Sequence, residues 1–145
     1  MSALFVMFKV GNADYVIPAS SVLELESFTG ATEVPGAPSF LRGVLNIRGR
    51  VVPAIDLRTR FGLARTEPTI DTRVVVGQIG TRVVGLVVDA AREVVSLSSE
   101  AFRPPPEIIV EQTQGFVQAI AEAGQRLVML LDFPKVIGEE STHAQ

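Results

Sequence analysis

The 145-residue sequence predicts an all-β fold in which two similar five-stranded barrels pack side by side, with short helical turns as the only helix. This expectation rests on two observations and one physical argument. Apolar segments rich in Val, Ile, Leu and Phe are short and recur between Gly, Pro, Asn and Asp, the punctuation of many strands rather than of long helices. A pattern of strand, turn, strand and capped helix occurs twice at matched spacing. A five-stranded sheet with one apolar face buries that face by curling into a small barrel, which also removes its exposed edges.

The elements follow in order. Residues 4–10 and 15–17 flank Gly11-Asn12-Ala13-Asp14, a loop whose residues tolerate left-handed backbone, and this reads as a hairpin. Residues 22–26 form a third strand. Residues 44–47 and 50–55 flank Arg48-Gly49, and 74–79 and 82–88 flank Gly80-Thr81, giving two more hairpins. Residues 93–97 make a further strand, and 116–121 with 125–131 enclose Ala123-Gly124. Helix is expected over 56–61 and 132–137, each opened by an aspartate able to cap the first turn and closed by Gly62 or Gly138. Single turns are expected at 38–41 and 98–102, before Pro104-Pro105-Pro106 imposes extended backbone.

The repeat is the strongest organising signal. Arg50-Val51-Val52, Ile55-Asp56-Leu57 and Phe61-Gly62 match Arg126-Leu127-Val128, Leu131-Asp132-Phe133 and Ile137-Gly138 at a constant offset of 76 residues. Upstream, Val10-Gly11 resembles Ile79-Gly80 more loosely at an offset of 69. Two halves of five strands each are the economical reading, within a single domain of residues 1–145 whose core spans 3–138 and whose polar tail is 139–145.

Composition narrows the function. A net charge of -3 and a pI near 5.2 give no electrostatic footprint for nucleic acid or anionic lipid. Hydrophobic residues reach 47% and mean hydropathy is +0.34, so apolar surface is expected to remain exposed. The absence of cysteine removes disulfides, thiolate nucleophiles and cysteine-ligated metals, and it suits a reducing cytoplasm. The apolar stretch 3–8 is cut short by Lys9 and has no basic leader, so it reads as a strand and not as a signal peptide. Asp89 interrupts the longest apolar run, well short of the roughly 18 residues of a membrane span, so a soluble protein with no direct membrane insertion is expected.

Catalytic groups are sparse. The single histidine, His143, lies in the polar tail; Ser20-Ser21 and Ser98-Ser99 read as turn or capping residues, and no zinc or phosphate-loop spacing occurs. Asp56, Asp89 and Asp132 each follow an apolar strand and invite a catalytic reading. The repeat argues for helix caps at Asp56 and Asp132, because catalytic carboxylates need environments that drive their pKa values apart. Catalytic residues, cofactors and metals are therefore expected to be absent.

The most informative stretch runs from Val34 to Gly62. Val34-Pro35-Gly36-Ala37-Pro38, Phe40-Leu41-Arg42-Gly43, Asn46-Ile47-Arg48-Gly49 and Val52-Pro53-Ala54-Ile55-Asp56-Leu57-Arg58, in that order, resemble the CheW-like domain of bacterial chemotaxis coupling proteins. The resemblance continues through Arg82-Val83-Val84-Gly85-Leu86-Val87-Val88-Asp89 and Arg103-Pro104-Pro105-Pro106 to about Gly138. It implies two SH3-like barrels. It also implies a non-catalytic adaptor that binds the cytoplasmic tip of chemoreceptors and the regulatory domain of a CheA-type histidine kinase, with other CheW-like proteins as further candidate partners.

The resemblance places partner contacts at Val22, Glu24, Gly43, Arg48 and Val94. Arg48 precedes a glycine at the end of an apolar strand, where its guanidinium projects at a turn and can pair bidentately with a carboxylate; the resemblance makes Glu24 that partner. Gly43 admits close approach of another backbone or serves only its local turn. Val22 and Val94 occupy related places on the strand after each early hairpin, as contact patch or as core. Three rival readings stand beside this one: a small-barrel nucleic-acid binder, which one Tyr, no Trp and the negative charge disfavour; an enzyme of unrecognised type; and an adaptor of a non-flagellar chemosensory pathway serving surface motility or development.

Overall fold

The computed structural model describes residues 1–138; the polar tail 139–145, with His143, lies outside the described residues. Ten strands dominate: β1 (Ser2–Val10), β2 (Ala13–Pro18), β3 (Val22–Ser27), β4 (Leu41–Ile47), β5 (Arg50–Asp56), β6 (Arg73–Ile79), β7 (Arg82–Val88), β8 (Ala90–Ser98), β9 (Val117–Ala123) and β10 (Arg126–Leu131). Short helices follow β5 (α1, Leu57–Arg60), precede β9 (α2, Glu107–Gln112) and follow β10 (α3, Phe133–Ile137). The two single turns expected from sequence are also present, at Pro38, whose carbonyl accepts from Leu41 N at 3.0 Å, and at Ser99–Ala101.

The strands form two five-stranded sheets with the same plan, ordered β8-β1-β2-β10-β9 and β3-β6-β7-β5-β4. The duplication read from the sequence is thus a duplication of structure, but neither sheet is one half of the chain. Each half gives its first hairpin to one sheet and its remaining three strands to the other, so β1 and β2 pair with β8 and β10, and β6 and β7 pair with β3 and β5. The register of β3 on β6 and of β8 on β1 is the same at an offset of 69: Leu25 faces Val75 as Val94 faces Val6, and each strand carries a bulge before the next equivalent pairs, Val22 with Gly77 and Ala91 with Phe8. The offset of 76 then holds from β4 onward. The seven extra residues fall between β8 and β9, where α2 lies. The sequence reading missed α2 because Glu-Ile-Ile-Val-Glu-Gln is mostly β-branched at its centre and fits neither period over so short a length.

As ladders the sheets are open, and a single bridge ties the ends of each. The chain after β3 returns so that Thr32 exchanges two backbone hydrogen bonds with Val44 of β4, at 3.0 and 2.8 Å. The chain after β8 does the same between Arg103 and Ile120 of β9, at 2.9 Å each. Each sheet therefore curls around its own small core: Phe5, Met7, Val16, Leu97, Ala121 and Val128 in one, Phe28, Ala54, Val74, Val76 and Val87 in the other.

The largest core lies between the sheets. Phe8, Val10, Tyr15 and Ile17 of the first meet Ile55, Val75, Val84, Leu86 and Val88 of the second, together with Phe133 and Val136 of α3. Strands β1, β2, β6 and β7 are apolar on both faces because one face looks into a barrel and the other into this junction, which is why Val74-Val75-Val76 shows no alternation. Each fully buried Phe, Leu or Ile contributes about 1.5–3 kcal/mol.

The expected caps form. Asp56 accepts from the backbone N of Arg58 and Thr59 at 3.0 and 3.3 Å, and Asp132 from Lys135 N at 3.2 Å. Their own backbone N–H groups donate to equivalent carbonyls, Phe40 O and Phe116 O, both at 2.8 Å. Gly62 and Gly138 close the helices at φ 83° and 86°, a left-handed backbone that favours glycine. Asp89 is not a cap. It sits in the single-residue crossover between β7 and β8, where it receives both Arg58 Nε and Nη2 at 2.9 Å and Gly11 N at 2.7 Å, pinning α1 and the first hairpin to the crossover.

Candidate functional site

Strand β3 inverts the usual pattern of a half-buried strand. It alternates Leu23, Glu24, Leu25, Glu26, yet the leucines are about half exposed, at 50% and 45%, and the glutamates lie on the more buried side. Glu24 and Glu26 pair in register with Val76 and Val74, whose side chains fill the interior of the sheet, so the two carboxylates stand at the mouth of that barrel. Inward-pointing charge on an edge strand opposes edge-to-edge pairing. An exposed apolar row on the same strand is the opposite signal, that of a surface meant to be covered.

Arg48 closes the mouth. The β4–β5 turn consists of Arg48 and Gly49 with φ 53° and 84°, the doubly left-handed geometry of a tight hairpin, and Asn46 Oδ1 accepts from Gly49 N at 2.9 Å. A left-handed arginine is costly, and Gly124 holds the equivalent place in the second half at φ 65°. The turn carries the Arg48 guanidinium across to β3, where Nε donates to Glu24 Oε1 at 2.7 Å and lies 3.8 Å from Glu26 Oε2. The contact uses Nε and is not the bidentate fork expected from the sequence. Hydrogen bonds from Glu26 and then from Arg48 hold the Glu24 carboxyl below its usual range, while the bond to Glu24 raises that of Glu26. The Glu24 bond and both carboxylate charges raise Arg48. The arginine side chain remains 78% exposed, so the clasp offers most of its donors to solvent.

The other expected site residues fall in different places. Gly43 is buried at a bulge of β4 with φ 148°, and a side chain there would strike the Thr32 carbonyl and backbone. The backbone it admits is this chain's own, the strand return that closes the sheet. Val22 pairs with Gly77 and packs partly against the central core, whereas Val94 is 58% exposed on β8. The register separates them: the counterpart of Val94 is Leu25, and that of Val22 is Ala91. Glu24, Arg48 and Gly43 thus share one sheet with Val22, and Val94 stands on the edge of the other, beside Leu4. The sequence reading missed Leu25 and Glu26. The signal that would have found both is the Leu-Glu-Leu-Glu alternation on a strand whose partner β6 is apolar throughout its centre.

The first barrel carries a clasp of opposite sign. Asp14 of β2 accepts from Arg92 Nε of β8 at 2.9 Å and from Arg126 Nη1 of β10 at 3.0 Å. Here two cations share one carboxylate, at positions that do not correspond to those of the Arg48 clasp.

Paired curled sheets with charged clasps and exposed apolar edge strands define a recognition module, and comparison gives its family. The model for the CheW-like domain matches residues 4–141, and the chain belongs to that family of scaffold and adaptor proteins. It is 36% identical over 136 residues to the chemotaxis protein CheW of Klebsiella aerogenes, covering 94% of this chain and 82% of that one. It is 35% identical to the protein FrzA of Myxococcus xanthus, covering 92% and 84%. The crystal structure of the scaffolding protein TtCheW from Thermoanaerobacter tengcongensis superposes with a TM-score of 0.86 at 28% identity, covering 95% of this chain and 94% of that one. Among the described residues, no helix is long and apolar enough to cross a membrane.

Proposed function

We propose that this chain is a non-catalytic adaptor that couples the cytoplasmic tips of chemoreceptors to the regulatory domain of a CheA-type histidine kinase, held in the cytoplasm at receptor arrays. The observation that carries this reading is the Arg48 clasp. An arginine kept in left-handed backbone, bonded to a glutamate on an edge strand that also exposes Leu23 and Leu25, is an expensive local arrangement, and such departures concentrate where a protein does its work. The family supplies the class of function, and relatives named chemotaxis proteins in Klebsiella aerogenes and Bacillus subtilis support a chemosensory setting. Glu24, Arg48 and the neighbouring Val22 form one contact surface, and Val94 lies on a second, on the other sheet. Gly43 acts by holding the Thr32 return in place. Two separate surfaces are what a coupling protein needs, since weak single contacts act together once both partners are bound.

The test is a pull-down of the kinase regulatory domain and of a receptor cytoplasmic fragment by wild type and by Arg48→Glu. The variant gathers three carboxylates at the barrel mouth and is expected to lose one partner by at least about tenfold while its circular dichroism is unchanged. Wild-type protein that binds neither partner refutes the adaptor reading. A folded Arg48→Glu that binds both as wild type does refutes the site.

A further inference from the structure

The two halves meet solvent through equivalent clefts, and only one of them is filled. In the first half, the cleft beside α1 is bounded by Arg42, Arg58 and Val87 and is covered by the segment after that helix, with Thr66, Glu67 and Pro68 in it; about 10 Å³ is left open. That segment is tied down at several points. Leu63 N donates to Arg58 O at 2.7 Å, Arg58 Nη1 to Ala64 O at 3.3 Å, and Arg65 Nη2 to Ser39 O at 3.3 Å. In the second half, the same three positions are Gln118, Pro134 and Pro18, and they border a cleft of about 300 Å³.

We infer that this second cleft receives an extended, uncharged, proline-bearing segment of a partner protein, laid across it as Thr66 to Pro68 lie across the first. The floor is apolar, formed by Ile79, Leu130, Leu131 and Phe133. The rim carries Ser21, Gln78 and Gln118, hydroxyl and amide groups that both donate and accept. An extended chain has unpaired backbone N–H and C=O groups that need such partners, whereas a helix has already satisfied its own. The arginines that hold Asp56 and Asp89 in the first half are replaced here by Gln118 and Pro134, so the cleft makes no demand for charge. It is also continuous with the proposed contact surface, because Pro18 and Ser21 lead directly into Val22. The inference rests on the adaptor reading, since it supplies the partner.

The chain has no cysteine, so one introduced at Gln118 is unique and reports on whatever crosses the cleft. Gln118 is exposed on β9, and Gln118→Trp fills the cleft from its rim. The variant is expected to weaken one of the two partners, kinase regulatory domain or receptor fragment, by about tenfold or more, with an unchanged denaturation midpoint. Gln118→Arg, which installs the residue type of Arg42, is the second variant should the tryptophan disturb folding, and it is expected to weaken the same partner. Single cysteines walked along that partner are expected to form disulfides with Gln118→Cys at every second position, the period of an extended chain. Cross-links at every third or fourth position, or wild-type binding of both partners by the folded Gln118 variants, overturn the inference while leaving the adaptor reading intact. Wild-type protein that binds neither partner overturns both.

Discussion

Asp56 and Asp132 occupy the same place in the two halves and cap equivalent helices, but only Asp56 is drawn into an ion network. Its side chain is 3% exposed, Arg42 Nη1 donates to it at 2.8 Å, and Arg65 Nε stands 3.6 Å away. Asp132 makes its cap with Lys135 N and is half-buried. The comparison separates what the fold requires from what each half has added. The cap belongs to the shared plan, since both helices start with it. The arginines belong to the first half alone, where a long connection must be held across the cleft before β6 begins; in the second half the corresponding cleft stands open.

Removing the two carboxylates measures that difference directly. Asp56→Ala leaves the mostly buried Arg42 guanidinium without its partner as well as the helix without its cap, and should cost about 3–5 kcal/mol. Asp132→Ala loses only a cap and should cost about 1 kcal/mol. Urea denaturation of both variants checks the ordering; equal losses would mean that the network around Asp56 adds nothing to the cap.

Packing between the halves differs in the same compensating way. Where the first hairpin carries Phe8, the second carries Gly77, and where α1 begins with Leu57, α3 begins with Phe133. The ring of Phe133 fills the space the glycine leaves: a methyl group on Gly77 would lie 2.5 Å from its Cζ and 2.8 Å from its Cε2. Gly77→Ala should therefore destabilise by about 1–3 kcal/mol through overpacking. Adding Phe133→Leu, the residue type of the first half, should recover part of the loss. A double-mutant cycle that shows no coupling between the two positions would break the equivalence.

These pairs also mark how far the sequence could be read. All ten strands, four hairpins, both aspartate caps and the repeat were legible, because each is local: a period of two, a turn residue, a cap two or three residues from its donors. What the repeat could not reveal is that the halves exchange hairpins, since strand partners across the molecule leave no trace in local spacing; Val94 pairs with Val6, and nothing in either segment says so. The same blindness linked Val22 to Val94, when a register three residues away couples Val94 to Leu25. At the candidate site, the pairing of Arg48 with Glu24 was legible through the family resemblance. The exposed leucines and Glu26 beside them were not, because β3 reads as an ordinary amphipathic strand until its neighbours show which face is inside.

The smallest effect on stability should come from the turn that carries the candidate site. Arg48 and Gly124 sit at matching turn positions with φ 53° and 65°, and only the arginine pays a steric penalty there. Arg48→Gly relieves that penalty while removing the bond to Glu24, which joins two solvent-facing groups and is screened accordingly. The denaturation midpoint should stay level or rise slightly, and binding of the partner lost by Arg48→Glu should fall in parallel. A residue held in strained backbone for its contacts with a partner shows this signature, stability retained and affinity lost. One held there to close the barrel shows the reverse, a lowered midpoint with affinity unchanged, and that result would move Arg48 from the recognition surface to the scaffold.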